Sequence, residues 1–307
     1  MTVRQETYFI IKNNYIIRNV FAGLQLLSRD KTTLFYFLFL VFVLMLGVIG
    51  PYIAPYPHGE TLYASEGGIL RLEPPSVAHP LGTNAAAQDV LSRVLYGARP
   101  TMITGLLGGT MIITIGMSIG LTAGYVGGWI DDLLMRITDV AYGVPLIPFA
   151  ILIIAFLGVG FIESILALGL LLWRGNARVL RSQVLQIKQR PYIKAAKAAG
   201  ASGPRIVLKH IFPNVASMAV LFFALGVGYT IIIQAGLAFI GVSDPTNPSW
   251  GIMLRNAYTY GSMDSALWWS VPPGILISLT VLSTFMFGRG YERIAGNVDD
   301  EAFVKVG

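Results

Sequence analysis

The chain of 307 residues contains no cysteine and only three histidines, His58, His79 and His210. That excludes disulfide frameworks, Cys-ligated zinc, iron–sulfur clusters and thiol nucleophiles. Histidines scattered singly make a His-rich metal centre a poor expectation. Charge is scarce too: 12% of residues are Asp, Glu, Lys or Arg, against about 25% in soluble domains. The chain has no Gly-Lys pair and therefore no phosphate-binding loop of the G-x-x-x-x-G-K-[ST] kind, and neither H-E-x-x-H nor G-x-S-x-G occurs. An ATPase or hydrolase is not expected from this polypeptide, nor a cofactor or metal of its own. The 34 glycines and 16 prolines are not periodic, so collagen-like and low-complexity readings fail.

What is present is apolar. Hydrophobic residues make up 54% and the mean hydropathy is +0.65, which predicts an all-α integral membrane protein. Uncharged runs long enough to cross roughly 30 Å of hydrocarbon cover Leu34–Ala54, Pro100–Ile130, Val140–Ile162, Ile211–Ser243 and Ser265–Gly288. A sixth candidate, Ser164–Trp173, has only ten uncharged residues between Glu163 and Arg174. Charge decides it. From Arg174 to His210 run nine Lys and Arg residues without one Asp or Glu, so this loop belongs in the cytoplasm by the positive-inside rule. Residues 1–33 are basic on balance as well. Both lie inside only if Ser164–Trp173 spans, with its arginines snorkelling at the inner interface. Six transmembrane helices with both termini cytoplasmic follow.

The expected layout has a cytoplasmic segment 1–33, with an interfacial amphipathic helix over Tyr8–Leu27, and a first span 34–54. An extracytoplasmic loop 55–99 follows, then a core of five spans over 100–290 and a cytoplasmic tail 291–307. The lead-in and the length of the first apolar run are not those of a signal peptide. In the second span Gly116, Gly120, Gly124 and Gly128 recur every four residues, a side-chain-free ridge for close helix packing or, less simply, for permeation. Asp131, Asp132, Arg136 and Asp139 crowd the inner end of the third span; they form interfacial ion pairs or act in gating. Asp139, Glu163 and Gln234 are the candidates for a gating or pathway role. No chain of buried carboxylates crosses the midplane and no inverted repeat is apparent, so the energy source is expected elsewhere.

The cytoplasmic loop 182–210 is the most informative segment. It reads Pro191-Tyr192-Ile193-Lys194-Ala195-Ala196-Lys197-Ala198-Ala199-Gly200-Ala201. Proline at a helix start, an alanine-rich stretch and a glycine stop predict a helix of about nine residues. Helices shorter than about 12–15 residues are marginal alone, so this one is expected to lean on a partner, its alanines slotting into a groove and Lys194 and Lys197 flanking them. The bland alternative is a soluble basic turn facing anionic lipid.

These residues, with His210-Ile211-Phe212-Pro213-Asn214, resemble the EAA loop of ABC importer permeases. His79-Pro80-Leu81-Gly82-Thr83, Asp89-Val90-Leu91-Ser92-Arg93, Tyr96-Gly97-Ala98-Arg99 and Pro248-Ser249-Trp250-Gly251 resemble the C-type permease subunit of dipeptide, oligopeptide and nickel importers. The likeness covers roughly residues 34–293. It implies a type I ABC importer permease architecture in the plasma membrane, transporting di- or oligopeptides, with oligosaccharides or nickel as alternatives. An ATP-independent channel or secondary carrier is the rival of another class. The implied partners are a homologous second permease, two cytoplasmic ATP-binding subunits that bind ATP and Mg, and an extracytoplasmic solute-binding protein, in a lipid membrane and without nucleic acid. Tyr192, Lys194, Ala195, Ala196, Lys197, Ala199, Gly200 and Ala201 are the implied ATPase-coupling residues. His210, Pro213 and Asn214 are the implied structural residues of the loop. The glutamate that usually opens the motif is replaced by Lys194.

Overall fold

The computed structural model describes residues 27, 28, 30–64 and 67–304, with side chains to residue 295. The amphipathic helix expected over Tyr8–Leu27 lies, but for Leu27, outside the described residues. Helices dominate: α1 (Lys31–Ile53), α2 (Val90–Val126), α3 (Gly128–Gly143), α4 (Leu146–Leu157), α5 (Phe161–Leu172), α6 (Arg174–Lys188), α7 (Pro191–Ala198), α8 (Gly203–Ile206), α9 (Phe212–Phe239), α10 (Trp250–Thr259) and α11 (Leu267–Val304). Two isolated β-bridges, Tyr63 with Ile69 and Thr83 with Asp89, lie in the loop before α2. Among the described residues four helices are long and apolar enough to cross a membrane: α1, α2, the run Gly203–Phe239 and the run Leu267–Ala295. The pair α3 and α4, bent by 93°, makes a fifth crossing if it counts as one.

Three spans differ from the sequence reading. The second begins at Val90 rather than Pro100, because Asp89 caps it by accepting from the Ser92 backbone N–H and hydroxyl at 2.7 and 2.8 Å and Pro100 is accommodated inside. It also stops before Ile130: Gly127 and Gly128 have φ of +74° and +59°, a left-handed turn that ends the helix. Gly128 is therefore part of the break and not of the glycine ridge. The third span is not one helix over Val140–Ile162. Pro145 forces Val144 into an extended conformation, φ −82° and ψ 120°, and Gly158, φ +108°, ends α4 after twelve residues.

The short candidate Ser164–Trp173 belongs to a longer kinked path. Trp173 stays in the right-handed helical region, so α5 runs on into α6. The path lies along α2 in the same direction: Gly169 faces Met111, Asn176 faces Gly116, Leu180 faces Gly120 and Val184 faces Gly124. The α2 glycines set this spacing. A Cβ on Gly120 would sit 2.7 Å from the Ala177 carbonyl oxygen, and one on Gly124 2.7 Å from Val184 Cβ. Higher on α2, Gly105 and Gly109 admit Ile231 and Val227 of α9 in the same way. At the other end of the chain α11 continues to Val304, so residues 291–304 extend the last helix.

At one end of the bundle the loop 54–89 and α10 form a cap. Asp89, buried, faces His79 Nδ1 at 3.1 Å. Trp250 Nε1 donates to the Val94 carbonyl at 2.9 Å above Gly97, where a Cβ would meet the Pro248 carbonyl at 2.6 Å. Trp268 Nε1 donates to the Thr83 carbonyl at 3.2 Å. The residues of the cap motifs thus bond chiefly to one another.

Candidate coupling site

The opposite end of the bundle carries α7. Pro191 opens it, where the missing N–H would have no partner. Its end is a Schellman motif: Gly200, φ +81°, donates to the Lys197 carbonyl at 3.0 Å and Ala201 to the Ala196 carbonyl at 3.1 Å. Eight residues alone would fray. The helix is held from behind by Ile193, 3% exposed, in a cluster with Leu180, Val184 and Ile187 of α6, Ile206 of α8, and Val215 and Phe222 of α9. Met117, Leu121 and Tyr125 of α2 pack on the same cluster. The expectation that α7 must lean on another protein is corrected to that extent: its root is in its own chain.

The expected coupling residues divide between two faces. Lys194, Ala195, Lys197, Ala199 and Gly200 are exposed, as is their neighbour Ala198. Ala196 and Ala201 are half-buried, and Tyr192 and Ala201 pack on the inner cluster. Ile193 was missed by the motif reading. The signal was present, since Ile193 is the one large aliphatic side chain between Pro191 and Gly200.

Beside α7 a cavity of about 430 Å³ is lined by Tyr125, Lys188, Gln189, Ile193, Lys194 and Lys197 among others. Lys188 reaches across it and donates to the Tyr125 carbonyl at 2.6 Å. A cation there satisfies one of the last carbonyls of α2 and complements the negative end of its dipole.

Behind the loop, Val207–Ile211 forms a π-helical turn, closed by Phe212 N–H donating to the Val207 carbonyl. Pro213 lacks the N–H that would continue an α-helical ladder, and the wider turn absorbs the loss. Asn214 Nδ2 donates to the His210 carbonyl at 2.6 Å, spanning the same turn. His210 enters through its backbone. The three loop residues therefore shape the joint between α8 and α9.

The acidic cluster resolves into a clamp. Arg181 donates twice to Asp131, Nε to Oδ1 and Nη2 to Oδ2, both at 2.6 Å. Arg178 Nη2 donates to Asp139 Oδ1 at 2.5 Å and its guanidinium stands 4.3 Å from the Tyr142 ring centroid. Arg174 donates to the Ala141 carbonyl, and at 3.2 Å to that of Val144. Three arginines on one face of α6 thereby grip α3 as far as the bend. Their spacing of three and four residues was legible; their partner helix was not. The other two pathway candidates are elsewhere: Glu163 sits in the first turn of α5, and buried Gln234 of α9 donates to Ser243 Oγ at 3.4 Å. Nothing gathers Asp139, Glu163 and Gln234 into one site.

The broken apolar helices and the short basic helix rooted among them fall within the stretch that a family model matches. Residues 116–294 match the binding-protein-dependent transport system inner membrane component. The chain belongs to that family. It is a multi-pass membrane permease subunit of a transport system, and the family name implies the company of an ATPase and a solute-binding protein. Over 255 residues it is 34% identical to the glutathione transport system permease protein GsiD of Pectobacterium atrosepticum, covering 82% of each chain. Over 268 residues it is 33% identical to the dipeptide transport system permease protein DppC of Bacillus subtilis, covering 87% of this chain and 82% of the relative. A solved structure of the MetNI methionine ABC transporter, inward facing, shares the fold, with a TM-score of 0.51 at 19% identity over 66% of this chain and 96% of that one.

Proposed function

We propose that this permease imports di- or oligopeptides on ATP energy, paired with a homologous second permease, two ATP-binding subunits that hold ATP and Mg, and an external solute-binding protein. The relatives of similar length are named for dipeptide and glutathione transport, and both cargoes are short peptides. No catalytic step falls to this chain. Its α7 end faces the cytoplasm, in keeping with the basic run Arg174–Lys209, its cap faces outward, and the kinked α5–α6 path completes six crossings with both termini inside.

The observation that carries the reading is the two-sidedness of α7. Lys194, Ala195, Lys197 and Ala199 offer a smooth, positively charged outer face while Ile193 is sunk into the cluster that joins α2, α6 and α9. A push on the outer face by a closing ATPase subunit reaches three helices through one side chain. Because α6 is locked to α2 through the glycines and to α3 through the arginines, the motion extends to the bent third crossing. That gives a two-state element for alternating access, with no chemistry beyond packing and charge.

Gly200→Arg is the test. A Cβ at Gly200 meets nothing within 4 Å, so the arginine projects into the docking space clear of the bundle. The φ of +81° adds about 1–2 kcal/mol of strain at the α7 cap, which Gly200→Ala shares without the bulk and so serves as the control. In the reconstituted transporter the variant is expected to insert normally, keep basal ATPase turnover and lose peptide uptake. Undiminished uptake counts against docking through this helix.

A further inference from the structure

A second feature lies at the membrane-facing side of α1, far from α7. Gly50 of α1 crosses α2 so closely that a Cβ there would stand 2.6 Å from the Leu95 carbonyl oxygen. Alongside that crossing, between α1 and α2, is a cavity of about 280 Å³ lined by Leu44, Val48, Tyr52, Arg99, Met102 and Leu106 among others. A second cavity, of about 200 Å³, continues it between α1, α2, α9 and α11. The two share Leu44, Met102 and Leu106. In the second cavity the only side-chain hydroxyl is that of Thr284, which donates to the Val281 carbonyl at 2.7 Å. The groove is therefore apolar along its length except at its mouth.

The mouth is different. Arg99 is exposed and, among the described residues, has no hydrogen bond or ion pair. Tyr52, 80% exposed, stands beside it, one residue from the end of α1. Arginine and tyrosine at the end of a membrane helix sit at headgroup depth. From Tyr52 to Phe37 the groove follows α1 for about 22 Å at helical rise. One leaflet of hydrocarbon is about 15 Å deep.

We infer that this groove is a phospholipid site of the leaflet at the cap end, Arg99 holding the phosphodiester, Tyr52 flanking it, and one acyl chain lying along α1 past Met102 toward Phe37. The chemistry is complementary at both ends. Guanidinium is the side chain suited to bidentate phosphate recognition, and apolar walls without an unsatisfied polar group suit a hydrocarbon tail. A cavity of about 150 Å³ lined by aliphatic and aromatic side chains already binds an apolar guest, and each compartment here is larger. An anionic lipid such as phosphatidylglycerol is favoured over a zwitterionic one, because the ammonium of the latter would face Arg99.

The test is native mass spectrometry of the assembled transporter, released from nanodiscs of mixed phosphatidylglycerol and phosphatidylethanolamine. Wild type is expected to retain one phosphatidylglycerol per copy of this chain. Arg99→Gln should reduce that adduct about fivefold, the scale of one basic residue at an anionic surface, while Arg99→Lys keeps most of it. Ile103→Trp, at a position 37% exposed and so tolerant of bulk, fills the groove and should lose both lipids. Glycerol phosphate offered in solution should not compete, since it lacks the chain. Absence of a wild-type adduct, an adduct indifferent to Arg99→Gln and Ile103→Trp, or crosslinking of Val48→Cys to the second permease in the assembled complex would overturn the assignment.

Discussion

Arg181 and Asp131 face each other fork to fork, two bonds of 2.6 Å joining α6 to α3 across fifty residues of sequence. The carboxylate side chain is 11% exposed and the guanidinium 32%. Arg178 and Asp139, along the same pair of helices, are 51% and 65% exposed. Screening by water separates the two pairs. A double-mutant cycle on Arg181 and Asp131 is expected to give about 1 kcal/mol of coupling in thermal unfolding of the detergent-solubilised protein, and the cycle on Arg178 and Asp139 about zero. Equal couplings would mean that burial does not decide the strength of the clamp. Transport should follow the same order, with Asp131→Arg combined with Arg181→Asp recovering part of what either single change loses.

The glycines of α2 separate into two kinds by what surrounds them. A methyl group on Gly120 would collide with the Ala177 carbonyl and Leu180 Cβ at 2.7 and 2.8 Å. Gly120→Ala must then wedge α6 off α2, at about 1–3 kcal/mol of overpacking. Gly128→Ala meets nothing within 4 Å but keeps φ at +59°, and its penalty is backbone strain of about 1–2 kcal/mol. Melting temperature cannot tell them apart. Spin-label distances between α2 and α6 can: an increase is expected for Gly120→Ala and none for Gly128→Ala.

Much of this was legible in the residues. Composition identified the long apolar helices, because their content follows from partition between water and lipid, and the loop motif located α7. Breaks were harder to read. Uncharged stretches run straight through Gly127-Gly128 and Val144-Pro145, and hydropathy has no angular content, so the 93° bend is invisible to it. Pro145, which makes that bend, and Gly127-Gly128, which end α2, are local steric facts. Arg174, Arg178 and Arg181 read as a basic face for solvent or lipid until α3 folds back to meet them; only the tertiary path brings Asp131 to Arg181. Ile193 shows the same limit from the other side, one apolar residue whose depth depends on four other helices.

The cap carries a pH dependence whose sign follows from His58. Partial burial, and then the Arg93 charge, hold its imidazole below the ordinary histidine range, and the ring packs edge-on against Tyr96 with centroids 5.0 Å apart. The folded cap therefore binds fewer protons than the unfolded chain between the lowered value and about 6.5. Its stability is full above that window and declines as pH falls through it. Hydrogen exchange of the loop 54–64 is expected to quicken as pH falls below about 6.5, and His58→Phe should flatten the response. An unchanged profile in that variant would assign the dependence to another group.

Ile193 offers the sharpest separation of anchoring from docking. Truncation to alanine removes the one side chain of α7 that is 3% exposed, at about 2–4 kcal/mol for a buried aliphatic residue. The loss falls on a short helix with little else to hold it, so local opening of residues 191–201 should rise while the melting temperature of the bundle moves little. ATPase subunits should still bind, because Lys194 and Lys197 remain on the outer face. What fails is transmission: ATP hydrolysis continues, and peptide uptake per ATP falls. Lys194→Glu with Lys197→Glu should do the reverse, weakening subunit binding while any complex that does form transports with ordinary efficiency. If Ile193→Ala lowered subunit affinity and left uptake per ATP intact, α7 would be a docking site alone, and force would have to enter the bundle elsewhere.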